Sequence, residues 1–143
     1  MTTRTAEASA QEIAQLERDL YYARRAATSY RREAAQFRAE ATEMLSTAHD
    51  LTLAAAPLRQ VLQPIRQLHT PLTWEGNAAT ASRRRLDAHE DRCNRVVIQI
   101  DNLIEDLNEG MRSNYQAADR AENKQQRSQN MVWHYQRRLD AAR

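Results

Sequence analysis

Apolar residues in the first half of this chain recur in alternating steps of three and four. The series runs Ile13, Leu16, Leu20, Ala23, Ala27, Tyr30, Ala34, Phe37, Ala41, Met44, Ala48, Leu51, Ala55, Leu58, Leu62 and Ile65. Such a spacing is the a and d seam of a heptad helix laid along another helix. Alanine fills most a positions from Ala27 to Ala55, so a facing helix can approach closely there. Pro57 and Pro64 each lack a backbone donor and crowd the preceding turn, which predicts a kink or break between Ala54 and Ile65. Because the seam keeps its phase across both prolines, one kinked helix is expected rather than two separate ones.

The repeat stops at His69. Thr70-Pro71-Leu72-Thr73-Trp74-Glu75-Gly76-Asn77 is the strongest turn signal in the chain. A second helical stretch follows, with Leu86, Cys93, Val96, Ile100, Leu103 and Leu107 as its predicted main face and Val97, Ile104 and Met111 widening it. Gly110 is a weak point in this helix, costing roughly 1 kcal/mol against alanine. Beyond it the repeat is expected to continue in a shifted phase through Met111, Tyr115, Ala118, Val132 and Leu139.

Two helical stretches of matched length joined by a short connection become antiparallel neighbours. The expected fold is therefore all-α: one hairpin domain over 1–143, with a helix at about 5–69 kinked near 57–64, a turn at 70–77 and a helix at about 78–142. Leu45, Leu53, Val61, Val97, Ile98, Ile104 and Met111 give the half nearer Trp74 a second set of apolar positions. The outer arms, Thr5 to Tyr30 and Arg120 to Arg143, read as mostly polar away from the seam. A helix that is apolar on two faces needs more than one neighbour. The pattern thus predicts an antiparallel dimer, formed with itself or with a related small helical protein, overlapping over about Arg38 to Tyr115.

Composition supports the helical reading and removes several functions. Gly76 and Gly110 are the only glycines in 143 residues, so a phosphate-cradling loop is excluded. Turns and β-branched runs are too few for a sandwich or barrel. Twenty-one basic residues against 19 acidic ones leave a net charge of +2, too balanced for an obligate nucleic-acid binder. The densest basic cluster, Arg83-Arg84-Arg85, points in several directions on a helix and is interleaved with Asp87, Glu90 and Asp91. It reads as solvated surface, and no nucleic-acid partner is expected. Arginine greatly outnumbers lysine, with Lys124 alone, a bias associated with GC-rich genomes.

No segment has the apolar core of a cleaved signal peptide, and none approaches the roughly 18 apolar residues of a membrane span. Neither a Sec-type leader nor stable membrane insertion is expected. Cys93 has no internal disulfide partner. His89 and Cys93 stand one helical turn apart, but no second pair completes a zinc site, and both read as core-facing residues. There is no H-E-x-x-H, no Gly-x-Gly and no serine in a nucleophile elbow. No catalytic residue, metal or cofactor is expected, and the chain is not read as an enzyme.

Two short motifs remain. Trp74-Glu75-Gly76 is a W-x-G at the predicted bend, and Tyr115-Gln116-Ala117-Ala118-Asp119 is a Y-x-x-x-D placed downstream on the second helix. A chance W-x-G is expected about 0.03 times in a chain of this composition and a chance Y-x-x-x-D/E about 0.7 times, so the weight lies in their joint placement. From about Arg31 to Asp119 the chain resembles the WXG superfamily of type VII (Esx) secretion substrates, found in actinobacteria and related Gram-positive bacteria. The resemblance implies a non-enzymatic helical hairpin that dimerises into a four-helix bundle. It implies folding in the cytoplasm and secretion without a cleaved signal peptide, with the type VII secretion ATPase as export receptor. Trp74, Gly76, Tyr115 and Asp119 would form the secretion and recognition motif. The chain departs from the family pattern in its extra helical residues before Arg31 and after Asp119.

Read without the resemblance, Trp74 is a large apolar cap over a bundle end, and Gly76 a residue needed for positive φ. Tyr115 and Asp119 share a helical face as ordinary surface. In that reading the protein is a cytosolic coiled-coil adaptor or scaffold whose heptads hold a partner helix.

Overall fold

The computed structural model describes residues 2–68 and 76–143, with side chains described over 9–61 and 76–143. The described residues are 98% helical and include no strand. Helix α1 spans Thr2–Leu68 and helix α2 spans Asn77–Ala142. The two pack against each other as an all-α helical hairpin. Trp74 and nearly all of the predicted turn at 70–77 lie outside the described residues. Helix α1 runs without a break through Pro57 and Pro64, so the two missing donors are tolerated within one continuous helix.

The α1 seam follows the heptad pattern closely. Ala27, Ala34, Ala41, Ala48 and Ala55 are all buried, at a strict interval of seven residues. The d positions between and beside them, Tyr30, Phe37, Met44, Leu51 and Leu58, are half-buried. Every seam position from Ile13 to Leu58 is at least partly covered, and outside the seam only Asp19, Ala26 and Glu40 share that status in this stretch. Small a residues let the opposing backbone come near, and the longer d side chains then close the seam from the side.

Helix α2 departs from the predicted pattern. Apart from Ser82, Asn108, Gly110, Ala117, Glu122 and Gln136 beside them, its covered positions form two rows, one of them Ala79, Leu86, Cys93, Ile100, Leu107, Asn114, Ala121, Ser128 and Tyr135. The other row is Arg83, Glu90, Val97, Ile104, Met111, Ala118, Gln125, Val132 and Leu139. Together these alternate three and four without interruption. Val97, Ile104 and Met111 therefore belong to the seam itself, whereas Val96 and Leu103 are 42% and 52% exposed. The expected phase shift after Gly110 does not occur. Polar residues at Asn114, Gln125 and Ser128 hide a seam that never changes phase, and Tyr115 lies one position off it. At the edge of a two-helix contact a polar side chain can bury its stem and keep its head hydrated, so seam positions need not be apolar.

Gly110 does not interrupt α2 either. A Cβ at this position would stand 3.0 Å from the Met44 Sδ, so the glycine makes room for a thioether from α1.

The chain divides into two compact units, and each helix contributes to both. The terminal unit comprises 1–40 and 113–143. Its core is Leu16, Leu20, Val132 and Leu139, with Ile13, Ala23 and Tyr135 packed against it. Cross-helix polar contacts follow an antiparallel register: Glu17–Arg143 at 2.5 Å, Arg24–Gln136 at 3.0 Å and Glu12–Arg138 at 3.5 Å. The Lys124 ammonium stands 5.6 Å from the Tyr30 ring centroid. Tyr21, Tyr22, Met131 and Trp133 are exposed here, so the outer arms are less polar than the pattern predicts.

The central unit comprises 41–112. Its fully covered residues are all alanines, Ala41, Ala48, Ala55 and Ala79, and Arg59 pairs with Asp101 across the two helices. Leu45, Leu53, Val61, Val96, Ile98 and Leu103 are exposed. Three of the four surplus apolar residues expected on α2, Val97, Ile104 and Met111, are thus absorbed by the seam, and Ile98 faces outward.

Candidate recognition site

The start of α2 places Gly76. Its carbonyl accepts the Thr80 backbone N–H at 2.9 Å and the Thr80 Oγ1 hydroxyl at 3.1 Å, which begins the helical ladder. Gly76 adopts φ +106°, in the left-handed region, with nothing within 4 Å of where a Cβ would stand. Backbone conformation alone selects glycine here. Gly76 is exposed, and its motif partner Trp74 lies outside the described residues.

Tyr115 and Asp119 occur within α2, which continues to Ala142. One turn apart, they lie on the side of the helix next to the seam. Tyr115 is 39% exposed and the Asp119 side chain 73%. The structure brings to them two residues that pattern reading overlooked. Arg38 of α1 stands 3.9 Å from the Asp119 carboxylate and pairs closely with Glu122. The hydrogen bond that Arg38 donates to the Glu122 carboxylate raises the Arg38 pKa above its ordinary value; the charges of Glu122 and Asp119 and the Tyr115 phenol act in the same sense, against partial desolvation. Arg38 and Glu122 were legible in principle. Both occupy heptad e positions, which meet across the flank of an antiparallel pair, as Arg24 meets Gln136 and Arg59 meets Asp101.

This constellation offers an aromatic surface and a carboxylate that keeps most of its hydration. A partner could use the ring as an anchor and the carboxylate as a charge-assisted acceptor. Nothing in the geometry encloses a reacting atom. His89 is exposed while Cys93 is half-buried on the seam, so the expectation that both face the core fails for the histidine. Among the described residues no three His, Cys, Asp or Glu side chains are placed to hold a metal ion. No described helix is long and apolar enough to cross a membrane. The Arg83-Arg84-Arg85 cluster divides, with Arg83 half-buried on the seam and the other two exposed.

No protein-family model, curated protein or solved structure matches this chain.

Proposed function

We propose that this protein is a non-enzymatic type VII (Esx) secretion substrate or the partner of one. It folds in the cytoplasm as a helical hairpin, dimerises with itself or a related small helical protein, and is exported without a cleaved signal peptide. The observation that carries this reading is the joint placement of two motifs on a hairpin. Trp74 and Gly76 fall between the end of α1 and the start of α2, and Tyr115 and Asp119 are accessible on α2. An export receptor of the secretion ATPase class would read the Tyr115 ring and the Asp119 carboxylate, both of which are accessible on α2.

The test is export from a host that carries a type VII system, scored as protein in culture medium against protein in cells. The wild-type chain should reach the medium, Tyr115→Ala should remain in the cells, and Arg59→Ala should behave as wild type. Trp74→Ala should lose export while keeping its helicity. Retention of the wild-type chain, or equal export of Tyr115→Ala, would overturn the proposal in favour of a cytosolic coiled-coil adaptor.

A further inference from the structure

The balance of 21 basic against 19 acidic residues is an average over the chain, and the terminal unit does not keep it. Six arginines lie between Arg18 and Arg38 on α1: Arg24, Arg31 and Arg38 at e positions, and Arg18, Arg25 and Arg32 at f positions. Both acids of the same stretch, Asp19 and Glu33, stand at g positions, across the seam from the e flank. Around a helix the e, b, f and c positions adjoin. Residues 18–32 therefore present one face of arginines with Tyr21, Tyr22, Thr28 and Ser29 between them. Every one of these residues is exposed.

Of the six, Arg38 alone is matched by carboxylates, those of Asp119 and Glu122. Arg18 and Arg24 reach the Gln15 and Gln136 amide oxygens, both at 3.0 Å, and neither contact neutralises charge. None of Arg18, Arg24, Arg25, Arg31 and Arg32 makes an ion pair among the described residues. Helix α2 compensates little. Its e and b positions beside this face are Gln129, Trp133, Gln136 and Asp140, and the one carboxylate among them already accepts the Gln136 amide at 2.9 Å. Two open grooves follow the arginines. One, of about 670 Å³, is lined by Tyr21, Arg25 and Arg32, and the other, of about 440 Å³, reaches from Arg24 and Arg31 to Gln129.

We propose that this face of the terminal unit binds single-stranded nucleic acid, the guanidiniums holding phosphates and the tyrosine rings stacking on bases. Arginine grips a phosphate through two parallel N–H groups, and the five unpaired guanidiniums make a positive strip about 21 Å long. Unlike the three consecutive arginines at Arg83, the doublets Arg24-Arg25 and Arg31-Arg32 recur after seven residues, about 10.5 Å, and so point the same way. Tyr21 and Tyr22 are 58% and 63% exposed, and the bases of a single strand have free faces to offer them. A duplex stacks its bases on one another and would leave both rings unused. An anionic bilayer fits less well, because a helix that lies in a membrane buries an apolar face, and this face carries no aliphatic side chain from Arg18 to Arg32. Binding does not require export, so the two proposals fail separately.

Fluorescence anisotropy of the full chain with a labelled oligothymidylate gives the experiment. The wild-type protein should bind in the micromolar range at low salt. Its log affinity should fall against log salt with a slope of about −3, as about four or five phosphate contacts require. Arg25→Gln/Arg32→Gln should bind at least about tenfold more weakly, with the slope reduced by about 1.4. Tyr21→Ala/Tyr22→Ala should lose at least about fivefold at an unchanged slope, because stacking releases no counterions. Arg84→Gln/Arg85→Gln removes the same charge from the central unit and should bind as wild type. Duplex of the same length, vesicles containing phosphatidylserine and poly-glutamate should each displace the labelled strand less well than unlabelled oligothymidylate does. Absence of binding, an affinity indifferent to salt, or displacement by any of those three as good as by the single strand would overturn the proposal. So would unchanged binding by Arg25→Gln/Arg32→Gln, or an equal loss in Arg84→Gln/Arg85→Gln. Circular dichroism checks each variant, and if one loses helicity the wild-type salt slope and the displacement series decide the outcome.

Discussion

The terminal and central units are built from the same two helices and the same heptad, yet they hold together differently. In the terminal unit leucine and valine meet leucine, and charged or amide side chains from both helices lace the flanks. In the central unit the buried residues are alanines, and the larger apolar side chains are half-buried on the seam or exposed off it. Alanine brings the backbones together but removes little area from water, at about 25 cal/mol per Å² of apolar surface. The terminal unit therefore buries a leucine and valine core between its own pair of helices, while Tyr21, Tyr22, Met131 and Trp133 stay exposed. The central unit leaves aliphatic side chains at Leu45, Leu53, Val61, Val96, Ile98 and Leu103 exposed.

The largest effect should come from breaking the terminal core. Leu20→Ala should cost about 3 kcal/mol in denaturant unfolding, since it removes a nearly buried leucine from a small cluster. Leu103→Ala in the central unit should leave the stability of the monomer nearly unchanged. Equal losses at the two sites would erase the distinction. Next in size is overpacking of the alanine seam. Ala41 is 0% exposed, so Ala41→Leu should destabilise by about 2 kcal/mol, whereas Ala54→Leu at an exposed position should be close to neutral in the monomer.

A smaller effect is expected where Met44 meets Gly110. Gly110→Ala alone should change stability by less than about 0.5 kcal/mol, because the helical gain of alanine is offset by displacement of the thioether. In a Met44→Ala background the same change should stabilise by about 1 kcal/mol. A double-mutant cycle with no coupling would show that the two residues do not compete for space. The smallest effect belongs to the exposed ion pair. Arg59→Ala should cost under about 1 kcal/mol, and that cost should fall further in high salt.

The candidate site was half legible in the chain. Tyr115 and Asp119 stand out because an aromatic and an acid one turn apart form a short motif, and Gly76 because a turn calls for its backbone freedom. Arg38 and Glu122 did not stand out. They lie far apart in sequence, and in a protein rich in arginine and glutamate no single pair is distinctive until the register of the two helices is known.

For the fold the division falls between the helices. The all-α class and the α1 seam follow from sequence alone, because in α1 every covered seam position from Ile13 to Leu58 is an alanine or a larger apolar side chain. In α2 the apolar and the covered positions do not coincide. Val96 and Leu103 are apolar and exposed, while Glu90, Asn114, Gln125 and Ser128 are polar and at least half-covered. A pair of helices covers only a narrow stripe of each, so hydrophobicity by itself sets the phase loosely, and two adjoining phases of α2 fit the residue types almost equally well. Tertiary structure chose between them through α1. Its alanine row, the Met44–Gly110 contact and the Arg59–Asp101 pair are satisfied together in one register, and that register turns Val97, Ile104 and Met111 inward and leaves Val96 and Leu103 facing out.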